Sequence, residues 1–312
     1  MQETGEGKRA ATRGVRIALF LPLVLFFVAF DFFLPLLWRL SGYREMAFPQ
    51  GAYVGLFVAQ IDLIAFWTAL GPGRMVVRLP WGLLAITLTY VVQQSGARLF
   101  SGHSVSPSEQ SLLAAILLFG WLAVTGSLLA YRLLSRRRLL RTDQSPESSL
   151  KFHVRHLIIG TALCGMTLAL LNGFGYPVAT VYRTESKLLF ALSAAAVVNL
   201  SITIPAVVAA FRSHELWPFW RLTLAGYCMV VTAVQMTLMC MVMGMPPSFV
   251  RAFLFLLMLN GTQCFALLFS LYLIRCAGYD LQVVDGVRQD ATAENGAATA
   301  AVEADPWSED ES

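Results

Sequence analysis

The sequence predicts an all-α integral membrane protein, a polytopic bundle of about eight transmembrane helices with both termini on the cytoplasmic side. Of its 312 residues, 57% are hydrophobic and only 13% are charged, whereas about a quarter of the residues in a soluble domain are charged. Several apolar runs also exceed the roughly 18 residues that crossing a bilayer requires. The distribution of Lys and Arg between successive connecting segments predicts the orientation of the helices in the membrane.

Each apolar run long enough to cross the bilayer is interpreted as one span. The third run is the weakest of these, because Gln93, Gln94 and Ser95 make its second half polar. If this run does not cross, the number of spans becomes odd and the two termini lie on opposite sides. The expected spans are 16–39, 49–71, 79–99, 109–133, 154–173, 187–211, 220–244 and 248–275.

The orientation follows from the excess of Lys and Arg on one side of the predicted spans. With the N-terminus inside, 17 of the 23 Lys and Arg residues fall in cytoplasmic segments and 6 on the opposite side. Cytoplasmic loops of membrane proteins carry this excess. We therefore expect a multi-pass protein of the cell (plasma or inner) membrane, whose lipid bilayer is its main partner. Nucleic acid is not an expected partner.

The two ends of the chain differ in composition from the bundle of 16–275. Residues 1–15 are predicted to form a basic cytoplasmic N-terminus. After Cys276, nine acidic residues accompany a single Arg, and so little apolar surface cannot offset the entropy of ordering the segment. Residues 276–312 are therefore expected to form a disordered acidic cytoplasmic tail, either as solvated chain or as a docking segment.

A basic run, Arg136–Arg138, follows the fourth predicted span. Such a run is ordinarily part of the inside-positive pattern. The alternative interpretation is that its guanidinium groups attract anionic lipid headgroups.

Motifs typical of membrane enzymes and cofactor sites are absent from the sequence. It contains no HExxH, GxSxG or GxxxxGK[ST] pattern. None of the five Cys residues forms a CxxC pair, and the four His residues fall in predicted loops or at span ends. We therefore expect no enzyme activity, no cofactor and no metal site.

Two acidic residues, Asp31 and Asp62, are the only charges well inside a predicted span. A charge at the bilayer centre costs about 3 kcal/mol, so it usually faces a partner or water. Asp31 and Asp62 are predicted to be offset in depth by about 10 Å. One interpretation is that both handle a proton or a cation. The other is that each is a neutral acid hydrogen-bonded to a neighbouring helix.

The second span carries small residues at every fourth position, Gly51, Gly55 and Ala59, which favour close helix packing. Asp62 falls on the same stripe, so its side chain is expected to point into the protein, while Gln60 points away. The facing surface is predicted to be the side of the first helix that carries Asp31, Val28 and Pro35.

Uncharged polar residues mark the later spans. Pro205 lacks a backbone N–H and therefore frees a carbonyl near Ser201, which predicts a kink in the sixth span. Broken helices beside polar side chains build many transporter sites, and polar side chains also hold ordinary bundles together. Both interpretations stay open for Asn172, Asn199, Gln235, Asn260 and Gln263.

These observations favour a small-solute or ion transporter-like protein that uses intramembrane carboxylates. The alternative is a non-catalytic membrane subunit or sensor, whose basic loop or acidic tail contacts a protein partner.

Overall fold

The structure, a computed structural model, describes residues 5–40, 47–72, 75–101, 107–141, 186–211, 217–243 and 248–283. This part of the chain contains seven helices and one two-stranded sheet, in agreement with an all-α bundle. The predicted span 154–173 and Asn172 lie outside the described residues. The helices are α1 (Gly5–Leu40), α2 (Ala47–Leu70), α3 (Met75–Ser101), α4 (Pro107–Ser135), α5 (Ser186–Ala210), α6 (Trp217–Met243) and α7 (Phe249–Cys276). The strands are β1 (Arg137–Arg141) and β2 (Tyr279–Val283).

Five of the described helices are long and apolar enough to cross a membrane, and α5 contains a shorter apolar stretch, Ala195–Ala210. Large apolar side chains also cover the outside of the bundle, as with Phe265, which is 71% exposed. Helices that satisfy their own backbone groups and present apolar side chains outward suit a lipid surround. The five stretches are Phe20–Leu37, Phe48–Leu70, Leu113–Ser135, Thr223–Met241 and Phe249–Cys276.

Two helices differ from the predicted spans. Helix α3 is not among the five apolar stretches, and the polar residues Gln93, Gln94 and Ser95, which made this span the weakest prediction, lie inside it. Helix α1 begins at Gly5 rather than near residue 16, so most of the basic N-terminal segment is helical. The other described helices begin and end within a few residues of the predicted bounds.

Helix α2 packs closely against α7 along its stripe of small residues. A Cβ atom at Gly51 would lie 2.3 Å from the main-chain oxygen of Phe255, and one at Gly55 would lie 2.4 Å from that of Leu259. Ala59 on the same stripe is fully buried. Only glycine therefore allows the two backbones to approach this closely, as the sequence pattern predicts.

A second close contact joins α1 to α3. A Cβ atom at Gly96 would lie 2.0 Å from the main-chain oxygen of Phe32. The rings of Phe32 and Phe100 are 5.5 Å apart, and Arg39 Nη1 donates to the main-chain oxygen of Phe100 at 2.9 Å. Both helices therefore end at the same end of the bundle, so α1 and α3 run in parallel.

Arginine side chains cap helices at the other end of the bundle. Arg132 Nη1 donates to the main-chain oxygen of Ala69 in the last turn of α2, at 2.9 Å. Arg275 Nη1 donates in the same way to Ala210, the last residue of α5, at 3.2 Å. The last carbonyl groups of a helix have no partner within the helix, and a cation there also suits the helix dipole.

The sheet corrects the predicted start of the disordered tail. Strand β2 pairs with β1 in antiparallel register, with Leu281 opposite Leu139. Leu139 is fully buried, and the ring of Tyr279 contacts that of Phe20 at 6.2 Å. The prediction that all of 276–312 is disordered is therefore wrong for 276–283, because the acidic composition of the whole segment obscured a short apolar alternation. Residues 284–312 lie outside the described part.

The turn from α7 into β2 depends on Gly278. This residue has a φ of +84°, a left-handed conformation that glycine adopts without strain. Its N–H donates to the main-chain oxygen of Arg275 at 2.9 Å, and that of Ala277 donates to Leu273 at 2.9 Å. These bonds satisfy carbonyl groups at the helix end and direct the chain back towards β1.

Candidate functional site

Asp62 is fully buried where α2, α5 and α7 meet. Its Oδ1 accepts from Asn199 Nδ2 at 2.8 Å. Its Oδ2 accepts from Gln263 Nε2 at 2.9 Å and lies 2.8 Å from Thr203 Oγ1. We call these four residues the Asp62 cluster. Both carboxyl oxygens have hydrogen-bond partners, so the group joins three helices.

The cluster can accommodate either protonation state of Asp62. Thr203 Oγ1 lies 2.9 Å from the main-chain oxygen of Asn199 and 2.8 Å from Asp62 Oδ2, but a hydroxyl has only one proton to donate. If Thr203 donates to Asp62, the carboxylate is ionised with three donors. If Thr203 donates to Asn199, a proton on Oδ2 can be donated to Thr203. Gln263 also donates to Asn199 Oδ1, which fixes the Asn199 amide.

The surroundings of Asp62 correct one prediction. Its side chain points into the protein, as the small-residue stripe predicts. Its partners, however, come from α5 and α7 rather than from the surface of α1 that carries Asp31, Val28 and Pro35. The close approach of α7 at Gly55 explains this, because it brings Gln263 against the same side of α2.

Asp31 forms a second site, where α1, α2 and α3 meet. The residue is 1% exposed, and its Oδ2 accepts from Gln60 Nε2 at 2.7 Å. The same nitrogen donates to Thr89 Oγ1 at 3.0 Å. Neither Asp31 Oδ1 nor Gln60 Oε1 has a partner among the described residues, although both atoms are buried. We call Asp31, Gln60 and Thr89 the Asp31 cluster.

The two carboxyl groups lie on opposite sides of α2. Gln60 and Asp62 are two residues apart, which is about 200° around the helix and about 3 Å along it. Because Asp31 contacts Gln60, it lies close to the depth of Asp62. The predicted offset of about 10 Å is therefore wrong, because it counted residues from the predicted ends of two spans that start on opposite sides of the membrane. The backbone of α2 separates the two clusters.

A third polar contact joins α6 to α7. Asn260 Nδ2 donates to Thr232 Oγ1 at 2.9 Å and to Gln235 Oε1 at 3.0 Å. Asn260 is fully buried, and its Oδ1 has no partner in the described part of the chain. The predicted residues Gln235 and Asn260 thus contact each other, at a site separate from both carboxyl groups.

Pro205 leaves the main-chain oxygen of Ser201 without a partner within α5, and Tyr227 on α6 supplies one. The Tyr227 hydroxyl donates to this oxygen at 2.7 Å. The freed carbonyl is therefore where the sequence predicts it, and α5 is assigned as helical on both sides of Pro205. The predicted kink stays a prediction.

Sequence reasoning missed three residues of these sites. Thr203 lies four residues after Asn199, on the same side of α5, so helical spacing could have suggested it. Gln60 and Thr89 carried no signal, because a single amide or hydroxyl in a span is common. Among the described residues, no three His, Cys, Asp or Glu side chains are placed to hold a metal ion.

The Asp62→Asn substitution is expected to destabilise the protein more than Asp31→Asn. It places an amide N–H2 against either the Asn199 donor or the Gln263 donor, and a buried unsatisfied donor costs about 1–3 kcal/mol. At position 31 the amide nitrogen can take the place of the unpartnered Oδ1. Thermal unfolding midpoints of the purified variants in detergent measure the difference. An equal loss of stability in the two variants would contradict this assignment.

Tyr227→Phe is expected to lower stability by about 0.5–1.5 kcal/mol, because it removes the donor to the half-buried Ser201 carbonyl. In the Pro205→Ala background the new Ala N–H can bond to that carbonyl, so the same substitution should cost less. A double-mutant cycle of unfolding midpoints measures the coupling. Equal costs in the two backgrounds would mean that the hydroxyl does not replace the missing helix bond.

Comparison with known proteins adds no relative to this description. No protein-family model, no curated protein sequence and no solved structure matches the chain. A functional interpretation therefore depends on the clusters themselves.

Proposed function

We propose that the protein transports a small cation or a proton across the membrane, with Asp31 as the ion-handling carboxyl group. The observation that supports this is the pair of buried, unpartnered acceptor oxygens, Asp31 Oδ1 and Gln60 Oε1. The same carboxyl group would serve a transporter that couples the ion to a small solute.

The chemistry of the Asp31 cluster favours an ion. A buried acceptor without a donor costs about 1–3 kcal/mol, and a proton, a water molecule or a metal cation would remove this cost. Among the described residues, the carboxyl group of Asp31 has one hydrogen-bond donor, Gln60, and no ion-pair partner. Ionisable groups inside membrane segments usually pair with one another or mark ion pathways.

The Asp62 cluster has the opposite character. Each of its carboxyl oxygens already has a hydrogen-bond partner from another helix. A group with its hydrogen bonds satisfied has little to gain from a transported ion. We therefore assign Asp62 to helix packing, together with Asn199 and Gln263, and not to the ion pathway.

Flux through the purified protein in liposomes tests this assignment. Asp31→Asn is expected to reduce the uptake of protons or of Na⁺ to the level of empty liposomes, because the amide cannot take up a charge. Tyr227→Phe serves as the control, since it alters a polar contact between α5 and α6 far from Asp31 in the helix packing. The proposal would be overturned if the Asp31→Asn variant showed the same flux as the unmodified protein.

We also propose that the chain crosses the cell membrane eight times, with both termini inside. The contacts of α2 support this count, because Arg132 at the end of α4 caps Ala69. The ring of Phe211, just after α5, stacks on that of Phe66 at 5.9 Å. Helices α4 and α5 therefore both end where α2 ends, so the chain between them must connect opposite ends of the bundle. The predicted span 154–173 would make this connection.

On this topology the exposed side chains of Arg136, Arg137 and Arg138 lie at the inner surface of the membrane. Anionic lipid headgroups are concentrated there and attract such clusters. Strand β1, which includes part of this basic run, pairs with β2 at the start of the acidic tail. Two of the segments that could have contacted a separate protein thus contact each other, and we keep ion transport as the proposal.

Labelling of single cysteines tests the eight crossings, in a variant whose native cysteines are replaced by alanine. A membrane-impermeant maleimide applied to intact cells should label Thr184→Cys, and should label Ser145→Cys only after the membrane is opened. Leu40→Cys, which is exposed at the far end of α1, serves as the outside control. Labelling of positions 145 and 184 from the same side would contradict an eighth crossing.

A further inference from the structure

We propose that the Asp31 cluster, together with Gln93, is a binding site for a dehydrated monovalent metal cation of the size of Na⁺. The ligands would be side-chain oxygens of Asp31, Gln60 and Gln93. This inference depends on the proposed ion transport, and it replaces the general class of cation or proton with one kind of ion.

Helical spacing places Gln93 on the side of α3 that faces α1 and the Asp31 cluster. Thr89, Gln93 and Gly96 follow one another at helical spacing on one side of α3. Thr89 contacts Gln60, and Gly96 contacts the backbone of Phe32, the residue after Asp31. Gln93 thus lies between two points of α3 that touch the surroundings of Asp31. Helices α1 and α3 run in parallel, and helical side chains lean towards the N-terminus of their helix. The Asp31 carboxyl therefore lies on the N-terminal side of the Phe32–Gly96 contact, which is the direction of Gln93 along α3.

Three side-chain oxygens of these residues have no donor in the described part of the chain. They are Asp31 Oδ1, Gln60 Oε1 and Gln93 Oε1, and all three atoms are buried. The amide nitrogen of Gln60 is held by Asp31 Oδ2 and Thr89 Oγ1, so its oxygen is left as a free acceptor. An arrangement of carboxylate and amide oxygens suits a hard cation.

The single acidic residue at the proposed site favours an ion that carries one positive charge. The other acidic residues in the described parts of α1, α2 and α3 are Glu6, near the start of α1, and Asp62, on the opposite side of α2. A divalent ion bound to Asp31 alone would leave a net positive charge inside the membrane, which is costly. A monovalent ion makes the site neutral.

A proton gives these three oxygens fewer partners than a metal cation does. A protonated Asp31 has one O–H to donate, so at least one of the two amide oxygens would stay without a partner. A metal cation contacts several oxygens at once. The difference between the two ions can be measured by binding, without any transport.

The test is the thermal unfolding midpoint of the purified full-length protein in detergent, with NaCl compared against choline chloride at equal ionic strength and pH. Na⁺ that binds the folded state should raise the midpoint with concentration. Asp31→Asn and Gln93→Leu should remove this rise. The matched control is Gln94→Leu, which changes a buried amide with an unpartnered oxygen on the adjacent side of α3 and should keep the rise.

If Gln93→Leu does not fold, a second variant still tests the proposal. Gln93→Glu adds a second negative charge, so it should gain a rise in midpoint with Ca²⁺ that the unmodified protein lacks.

Two results would overturn the inference: no effect of Na⁺ on the unmodified protein, or an unchanged effect in Asp31→Asn and Gln93→Leu. If Na⁺ has no effect but Asp31→Asn still abolishes proton flux, the transport proposal survives and the ion is a proton. If flux is also unchanged, both proposals fail.

Discussion

The close approach of α2 to α7 is the constraint on which the polar sites depend. With no side chain at Gly51 or Gly55, the backbone of α2 lies against the carbonyl groups of Phe255 and Leu259. This contact brings Gln263 against Asp62. It also determines which side of α2 is left for Gln60, because a residue two positions away points in nearly the opposite direction.

The two carboxyl groups consequently have different chemical surroundings, although each is buried in the same membrane protein. Asp62 has three hydrogen-bond partners from α5 and α7, whereas Asp31 has a single donor and one carboxyl oxygen without a partner in the described part of the chain. Burial alone therefore does not distinguish a structural acid from an ion-handling one. The roles proposed for Asp62 and Asp31 follow instead from the number of donors that reach their carboxyl oxygens.

Much of the fold could be predicted from sequence, because each membrane helix must satisfy its own backbone and expose apolar side chains. The small-residue stripe of α2 and the carbonyl freed by Pro205 followed from local spacing alone. The partners of Asp62 could not be predicted, because local sequence does not identify which of several helices packs against the stripe. Gln60 points away from the stripe, as predicted, but its contacts with Asp31 and Thr89 were missed for the same reason, because the helices that it faces could not be identified from its own position. The strand β2 was missed because five residues of alternating pattern are easily outweighed by an acidic segment around them.

The pairing of β1 with β2 has a consequence for biosynthesis. The two strands are separated by nearly half of the chain, and at about 5–20 residues per second the second emerges roughly 7–30 seconds after the first. During this interval β1 has an unpaired edge next to a bundle whose last helix is not yet in place. Closure of the sheet therefore comes late in assembly, and a chain that ends before Tyr279 would leave β1 unpaired, with an exposed edge to which another chain can pair.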